Sequence, residues 1–336
     1  MPKWPDLLAG FKLLREVDLN AIRRQSELPF HLAVLGGKGV DKLLLTSQLL
    51  SGPCAQEIGF VSHVREYSLD GESPPGTCTL AILMVGGHDQ HSREMEVFQQ
   101  LRRDKIPVVV CYSRTDLPRD SGAVQTGGQD WEGAEAVVVN PGDRQSLTGV
   151  LATAMLRACP GHEIQLARNI PMLRETVCRK LIDDTCMVNS TYSLATGLAE
   201  INIFLDVPLN VADIVILTKN QAIMAYKISL AMGLTGDWRE TAPKMAAVVG
   251  NAFLWRQAAR MLVGLIPAYG VIPKIAVAYA GTYTVGQAIY QWCAKGEKLK
   301  SENLRSLYLT ALKRGREAAQ AVIARRRALR HTQPEA

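Results

Sequence analysis

The sequence predicts an α/β domain built on a mostly parallel sheet, followed by an all-α domain that carries a hydrophobic hairpin. Three observations predict it. Between residues 30 and 158, short uninterrupted apolar runs alternate with helix-like patterns, the signature of a sheet covered on both faces. The first apolar run feeds a Gly-rich turn that opens directly into a helix. Beyond residue 205 no strand-like run appears, and the stretch Ile275 to Ala294 holds twenty residues without a charge.

Residues 5–24 carry Leu7, Leu8, Phe11, Leu14, Val17 and Ile22 near helical spacing, which predicts an amphipathic helix ahead of the sheet. It packs on the chain's own second half or, on the sharper reading, contacts a membrane surface or partner. Leu32 to Leu35 is the first strand, Gly36 to Asp41 the turn, and Lys42 to Leu50 a short helix stopped by Ser51-Gly52-Pro53. Val61 to Leu69 alternates weakly and reads as a strand; Asp70 to Gly76 is a turn. Thr79 to Val85 and Pro107 to Cys111 are buried strands separated by a helix from Arg93 to Arg103 with Met95, Phe98 and Leu101 on one side. Residues 119–133 are a Gly-rich loop, Ala136 to Val139 the next strand, and Ser146 to Ala158 a helix after Asn140-Pro141-Gly142.

The turn Gly36-Gly37-Lys38-Gly39-Val40-Asp41-Lys42-Leu43 has the layout of a phosphate-binding P-loop, in which backbone N–H groups and a helix N-terminus face an anion. Against G-x-x-x-x-G-K-[ST], Gly36 and Lys42 match. Asp41 replaces the second Gly, and Leu43 replaces the hydroxyl that binds Mg²⁺. Downstream, Ser113-Arg114-Thr115-Asp116 occupies the slot of a degenerate N-K-x-D, with only the Asp kept. The ordered succession over residues 30–158 resembles a small Era-like GTPase domain. That resemblance implies GTP or GDP as ligand, with Mg²⁺ only where the site functions. It also implies remnant nucleotide-binding residues Gly36, Gly37, Lys38, Gly39, Lys42, Asp116 and Asn140. Asp116 would read the guanine ring, and Asn140 falls where the family places a turn against the base. The family's D-x-x-G has two poor candidates, Asp70-Gly71 and Ser73 to Gly76, and the first-switch segment, Ser51 to Phe60, offers no threonine. Phosphoryl transfer relies on Mg²⁺ and positioning. Leu43 cannot coordinate a metal, and Asp41 sets a carboxylate where backbone should approach phosphate. No catalytic residue is therefore assigned.

The second half predicts helices from residue 164 to 200, from Asp206 to Gly233 with Pro208 in the first turn, and from Pro243 to Ile266. Pro267 to Pro273 is a turn. Ala276, Ala280, Thr284 and Ala288 make a small-residue stripe along the uncharged run, as in closely packed helices. The run has the length of a membrane span, but Thr282, Thr284, Gln287, Gln291 and three tyrosines dilute it. A buried hairpin and a membrane-inserted or membrane-docking one both remain open. Leu217 to Met224 (LTKNQAIM), Ile266 to Pro273 (IPAYGVIP) and Ala280 to Ala288 (AGTYTVGQA) resemble a bacterial domain family of unknown function. That family is fused behind Era-like GTPase domains and is described as membrane-associated. The resemblance implies a cytoplasmic-side protein, peripheral to or integral in the inner membrane, with Ile266, Tyr269, Ile272 and Tyr283 as membrane or partner contacts.

Glu297 to Arg330 reads as a long helix whose other faces are basic. Residues 295–336 hold 11 Lys/Arg against 4 Asp/Glu, so a local charge of +7 accounts for the chain's net +6. Arg325, Arg326 and Arg327 are the densest part, suited to an anionic bilayer or to a partner. A solvated helix face is the plain alternative. Nucleic acid is disfavoured because no aromatic or groove-reading motif accompanies the charge.

The organisation read from these signals is an N-terminal helix (1–29), the GTPase-like domain (30–160), a helical connector (161–204), the hairpin domain (205–295) and the basic helix and tail (296–336). With 336 residues, 47% hydrophobic, the chain can bury two ordinary cores. Seven dispersed cysteines fit a reduced compartment, without a disulfide framework or zinc site. Asp6, Lys12 and Arg15 interrupt any secretory leader. His88 and His91 form the tightest histidine cluster, explained equally by loop polarity. The expected function is binding, to a membrane surface, a membrane protein, another protein partner or a second copy. The alternatives are a slow GTP-hydrolysing switch and a soluble scaffold without ligand.

Overall fold

Leu32–Gly36 (β1) and Leu80–Val85 (β3) are buried at every position, as continuous apolar runs require inside a parallel sheet. The structure, a computed structural model, describes residues 18–53, 63–70, 76–86, 92–113, 131–200, 211–234, 237–249 and 271–331. Five strands order as β2-β1-β3-β4-β5, all neighbours parallel. The edge strand β2 (Val64–Ser68) is half exposed, which is why its alternation was weak in sequence. Val108–Ser113 (β4) extends two residues past the predicted Cys111, so Ser113 is a buried strand residue and not a loop position. Glu135–Val139 (β5) closes the other edge.

One face of the sheet, with Ala33, Leu35, Ala81, Leu83, Val108 and Val110, packs on Val97, Phe98 and Leu101 of the helix Ser92–Arg103. Trp131 completes this core, edge-on to Phe98 at 5.1 Å, and its indole N–H donates to the Tyr112 hydroxyl at 2.6 Å. Leu19–Ser26 (α1) begins at its own cap, Asp18, which accepts from the Ala21 N–H at 2.9 Å. Of the amphipathic helix predicted for residues 5–24, the structure describes only this part; residues 1–17 lie outside the described residues. Lys42–Leu49 is α2 and Ser92–Arg103 is α3. The helix after β5 starts earlier than predicted, at Arg144, because Asp143 caps it through the Gln145 N–H at 2.9 Å. It then widens into a π-helical stretch, Leu147–Leu151, before ending as Ala152–Ala158; together these form α4. Glu163–Asn169 (α5) and a 3₁₀ turn, Pro171–Leu173, follow.

Arg174 is buried, and its guanidinium donates to the carbonyls of Pro53 (2.7 Å), Ala167 (3.3 Å) and Arg168 (3.3 Å). A Cβ on Gly52 would stand 2.2 Å from the Pro171 carbonyl oxygen. Backbone therefore presses on backbone where the chain leaves α2, and only glycine fits.

The chain separates into two units. The α/β unit spans Arg23–Val177 with Ala231–Gly233; the helical unit takes Cys178–Leu230 and Leu234–Ala336 with Met1–Ile22. The boundary falls inside the 27-residue helix Arg174–Glu200 (α6). The helical unit continues with Val211–Ala231 (α7), Trp238–Val249 (α8), Val271–Lys295 (α9) and Ser301–His331 (α10). Asp206 and Pro208, the expected start of α7, lie outside the described residues. Pro243 lies inside α8, not at its start, because Asp237 caps an earlier turn through the Arg239 N–H at 3.3 Å. Pro273 likewise belongs to the first turn of α9, where its missing N–H has no helical partner to lose. Gly296, at φ 72°, breaks the chain between α9 and α10 and delays the last helix to Ser301.

The predicted small-residue stripe is buried along its length, at Ala276, Ala280, Thr284 and Ala288. Its described partner is α10: Ala280 packs with Tyr308 and Ala311, and Gly315 lies against the Ala276 backbone. The helical pair that the structure describes is thus α9 with α10. Residues 250–270, the other arm of the predicted hairpin, lie outside it. A buried polar lattice ties α6, α7 and α9. Asn189 donates to Thr282 Oγ1 at 2.8 Å, Asn220 donates to Asn189 Oδ1 at 2.7 Å, and Gln221 donates to Thr282 Oγ1 at 3.2 Å. Among the described residues no helix is long and apolar enough to cross a membrane. The threonines and glutamines of α9 that diluted its hydropathy in sequence include Thr282, the hub of that lattice.

Candidate functional site

In a doubly wound sheet of order 2-1-3-4-5, strand order reverses between β1 and β3, and ligands bind beyond the carboxyl ends of the strands at that point. The Gly-rich loop leaves β1 there. Gly36 ends the strand; a Cβ on it would stand 2.5 Å from Val40 Cγ2 and 3.3 Å from Met84 Cβ. The loop is folded tightly over its own first residue. Gly39, at φ 100° with open space around it, supplies the positive φ that the turn needs.

The loop's polar groups are engaged within the chain. The Lys38 N–H, which would face an anion, donates to Asp70 Oδ2 at 2.9 Å. The Lys42 ammonium donates to the carbonyls of Gly36 (2.9 Å) and Gly37 (3.2 Å). A Cβ on Gly37 would lie 3.8 Å from Glu94 Oε1. Asp41 accepts from the Leu44 N–H at 2.8 Å and caps α2. Three carboxylates therefore surround the turn, and one already holds a loop amide. Leu43, in the first turn of α2, is 71% exposed and offers no ligand atom. Mg²⁺ takes oxygen ligands in near-octahedral geometry, and the Leu43 side chain does not fit that role.

Asn140 follows β5 on the same carboxyl edge, about 14 Å from β1 at about 4.8 Å per strand spacing. Its side chain turns inward on the local chain. Oδ1 accepts from the Gly142 N–H at 3.0 Å, while its own N–H donates to Ser146 Oγ at 3.2 Å. Asp116 lies outside the described residues, as do His88 and His91. The structure thus brings together Gly36, Gly37, Lys38, Gly39 and Lys42, and leaves Asn140 in a separate turn. Two carboxylates escaped sequence reasoning as loop neighbours. Asp70 was legible only as a weak D-x-x-G candidate, and Glu94 only as an acidic residue in a first helical turn. The capping role of Asp41 had a signal, an Asp immediately before a helix.

In the helical unit, Ile272 is exposed in the first turn of α9. Tyr283 is engaged by its own chain. Arg314 donates to its hydroxyl at 3.1 Å and lies over its ring at 5.5 Å, while Tyr279 stacks on it at 9° between ring planes. Burial pushes the Tyr279 phenol up to about 12. Arg325, Arg326 and Arg327 occupy consecutive positions in α10, and Arg305, Lys313 and Arg316 are exposed on the same helix. Ile266 and Tyr269 lie outside the described residues.

Among the described residues no group of three or more His, Cys, Asp or Glu could hold a metal ion. Cys78, Cys111, Cys159, Cys178, Cys186 and Cys293 are reduced thiols, outside any disulfide. Burial pushes Cys78 and Cys159 up to about 11 and Cys111 and Cys293 up to about 12. They are therefore protonated, weak nucleophiles at neutral pH. In comparisons with protein-family models, curated proteins and solved structures, the chain matches none.

Proposed function

We propose that this chain is a binding module, a GTPase-like α/β unit with a degraded nucleotide loop joined to a helical unit that docks on an anionic membrane surface through the basic end of α10. One observation carries the first half of this reading. The loop amide of Lys38 is held by the Asp70 carboxylate, and the Lys42 ammonium by loop carbonyls, so an incoming phosphate must displace a like charge before it gains a contact. Leu43 adds that nothing in the first turn of α2 draws Mg²⁺. Fast phosphoryl transfer has no support on this geometry.

The basic helix supports the second half. Near an anionic bilayer each Arg contributes about 1 kcal/mol, so Arg325, Arg326 and Arg327 together supply about 3 kcal/mol, roughly a hundredfold in affinity. The test has two arms. Binding of a fluorescent GTP analogue is measured with and without Mg²⁺, for the native chain and for Lys42→Ala. No saturable Mg²⁺-dependent binding is expected; micromolar binding lost in Lys42→Ala would make the chain a nucleotide switch. Co-sedimentation with phosphatidylserine-containing vesicles is expected to fall roughly a hundredfold when the three arginines become Ala, and to weaken with salt. Equal binding of the native and triple-Ala chains would remove the bilayer from the proposal and leave a protein partner.

A further inference from the structure

The amino-terminal edge of the sheet, opposite the Gly-rich loop, gathers ligand-type side chains that the proposed function does not use. The registers Leu32↔Val64 and Leu32↔Leu80 set His31, one residue earlier, between His63 and Thr79 on the adjacent strands. The backbone there is held on both sides. The Leu32 N–H donates to the His63 carbonyl at 3.0 Å, the Thr79 N–H to the His31 carbonyl at 2.8 Å, and the His31 N–H to Thr79 Oγ1 at 3.1 Å. The two imidazoles meet edge to face, with ring centres 5.7 Å apart and planes at 89°. His31 is exposed and His63 half-buried, so solvent reaches the pair.

We infer that His31 and His63 form a two-imidazole seat for a borderline divalent transition metal, with Zn²⁺ as the type case. The separation is the first argument. Two imidazole nitrogens, each about 2 Å from a shared Zn²⁺ at a near-tetrahedral angle, bring their ring centres to about 5–6 Å. The present centres already meet that distance. The edge-to-face angle is no obstacle. Rotation about Cβ–Cγ turns each ring on an axis through its own centre, which redirects the nitrogens and leaves the separation unchanged. That torsion is broad for histidine. The ladder bonds supply the second argument, since they fix both backbones and leave mainly side-chain torsions to be ordered on binding.

The ligand set defines the ion. Neutral imidazole suits Zn²⁺, Cu²⁺ and Ni²⁺ and excludes the oxygen-seeking Mg²⁺ and Ca²⁺. No described group of three or more His, Cys, Asp or Glu could hold a metal, so the remaining positions go to water. The seat is therefore open, unlike a closed structural site with four protein ligands. The nearby thiols do not compete. Cys159 Sγ points at the Thr79 carbonyl at 4.0 Å, and burial keeps both Cys78 and Cys159 protonated.

The experiment uses the full chain, with Zn²⁺ followed by calorimetry and Co²⁺ by absorption, for the native protein, His31→Gln, His63→Gln and a His162→Gln control. One equivalent should bind, and each of the first two variants should lose at least about tenfold in affinity, because either imidazole alone forfeits the chelate. The control should bind as the native chain does. The Co²⁺ spectrum should show d–d bands without sulfur-to-metal charge transfer. Circular dichroism verifies that each variant is folded. Unchanged affinity in His31→Gln or His63→Gln, a thiolate charge-transfer band, or no saturation up to millimolar Zn²⁺ would each overturn the seat.

Discussion

Two glycines of the helical pair test its packing by giving opposite answers to one substitution. Gly315 of α10 lies where an added Cβ would stand 2.8 Å from the Ala276 carbonyl oxygen, 3.0 Å from Ala276 Cα and 3.1 Å from Tyr279 Cβ. Two of those neighbours are backbone and cannot rotate away. Gly281 of α9 is also inside a helix, yet its added Cβ would meet nothing within 4 Å. Gly→Ala in a helix interior gains about 1 kcal/mol by reducing chain entropy. Overpacking costs about 1–3 kcal/mol when a contact must open. Gly281→Ala should therefore stabilise by about 1 kcal/mol, and Gly315→Ala should lose about 0–2 kcal/mol. The helix-propensity term cancels between the two variants, so their difference, about 1–3 kcal/mol, isolates the clash. Urea unfolding of the full chain, with hydrogen exchange read on α9 and α10, separates this unit's response from that of the α/β unit. If Gly315→Ala stabilises as much as Gly281→Ala, the close approach of α10 to Ala276 is wrong.

Other outcomes follow from the same contacts. Asp41→Ala removes the cap on the Leu44 N–H and should destabilise the α/β unit by about 1 kcal/mol, while Asp41→Asn should cost only a few tenths, read as shifts in urea midpoint. Asn189→Ala strands the Asn220 amide and removes a donor from Thr282, for a loss of about 1–3 kcal/mol by the same assay. Thermal stability should fall from pH 9 toward pH 12, followed by circular dichroism. The sign comes from the buried thiols of Cys111 and Cys293: unfolded chains lose those protons near 9, whereas burial holds them to about 12 in the folded chain. Over that window the folded state binds more protons, so raising pH favours unfolding. A flat profile between pH 9 and 11 would refute it. Asp70→Ala frees the Lys38 N–H and removes the nearest bonded carboxylate, so inorganic phosphate should bind measurably tighter by ³¹P titration than to the native chain. No change would mean that Asp70 does not occupy the anion position.

The strands were legible because buried parallel strands are continuous apolar runs: Thr79 to Val85 and Pro107 to Cys111 needed no context beyond composition. Helix starts were less so. Asp18, Asp143 and Asp237 each set a start by a side-chain bond that hydrophobic periodicity does not register. The π-helical turn at Leu147–Leu151 has no periodic signature over five residues. At the candidate site, the turn itself was readable from Gly36, Gly37 and Gly39. Its occupancy was not, since Asp70 reaches Lys38 across 32 residues and only the sheet register brings them together. The small-residue stripe announced a close helical neighbour, but stripes do not name one, and α10 proved to be the described partner.

The cap at Asp41 has a consequence for how this loop can change over generations. Converting the turn toward a phosphate cradle needs Gly at 41 and a hydroxyl at 43. The first of those steps deletes the bond that starts α2 and leaves the Asp70 carboxylate in place. Gly at 41 costs only a few tenths of a kcal/mol at a cap, but neither it nor a hydroxyl at 43 frees the Lys38 N–H, which stays with Asp70. The order of substitution therefore matters: changes at 41 and 43 can serve an anion only once the Asp70 carboxylate no longer holds the loop amide.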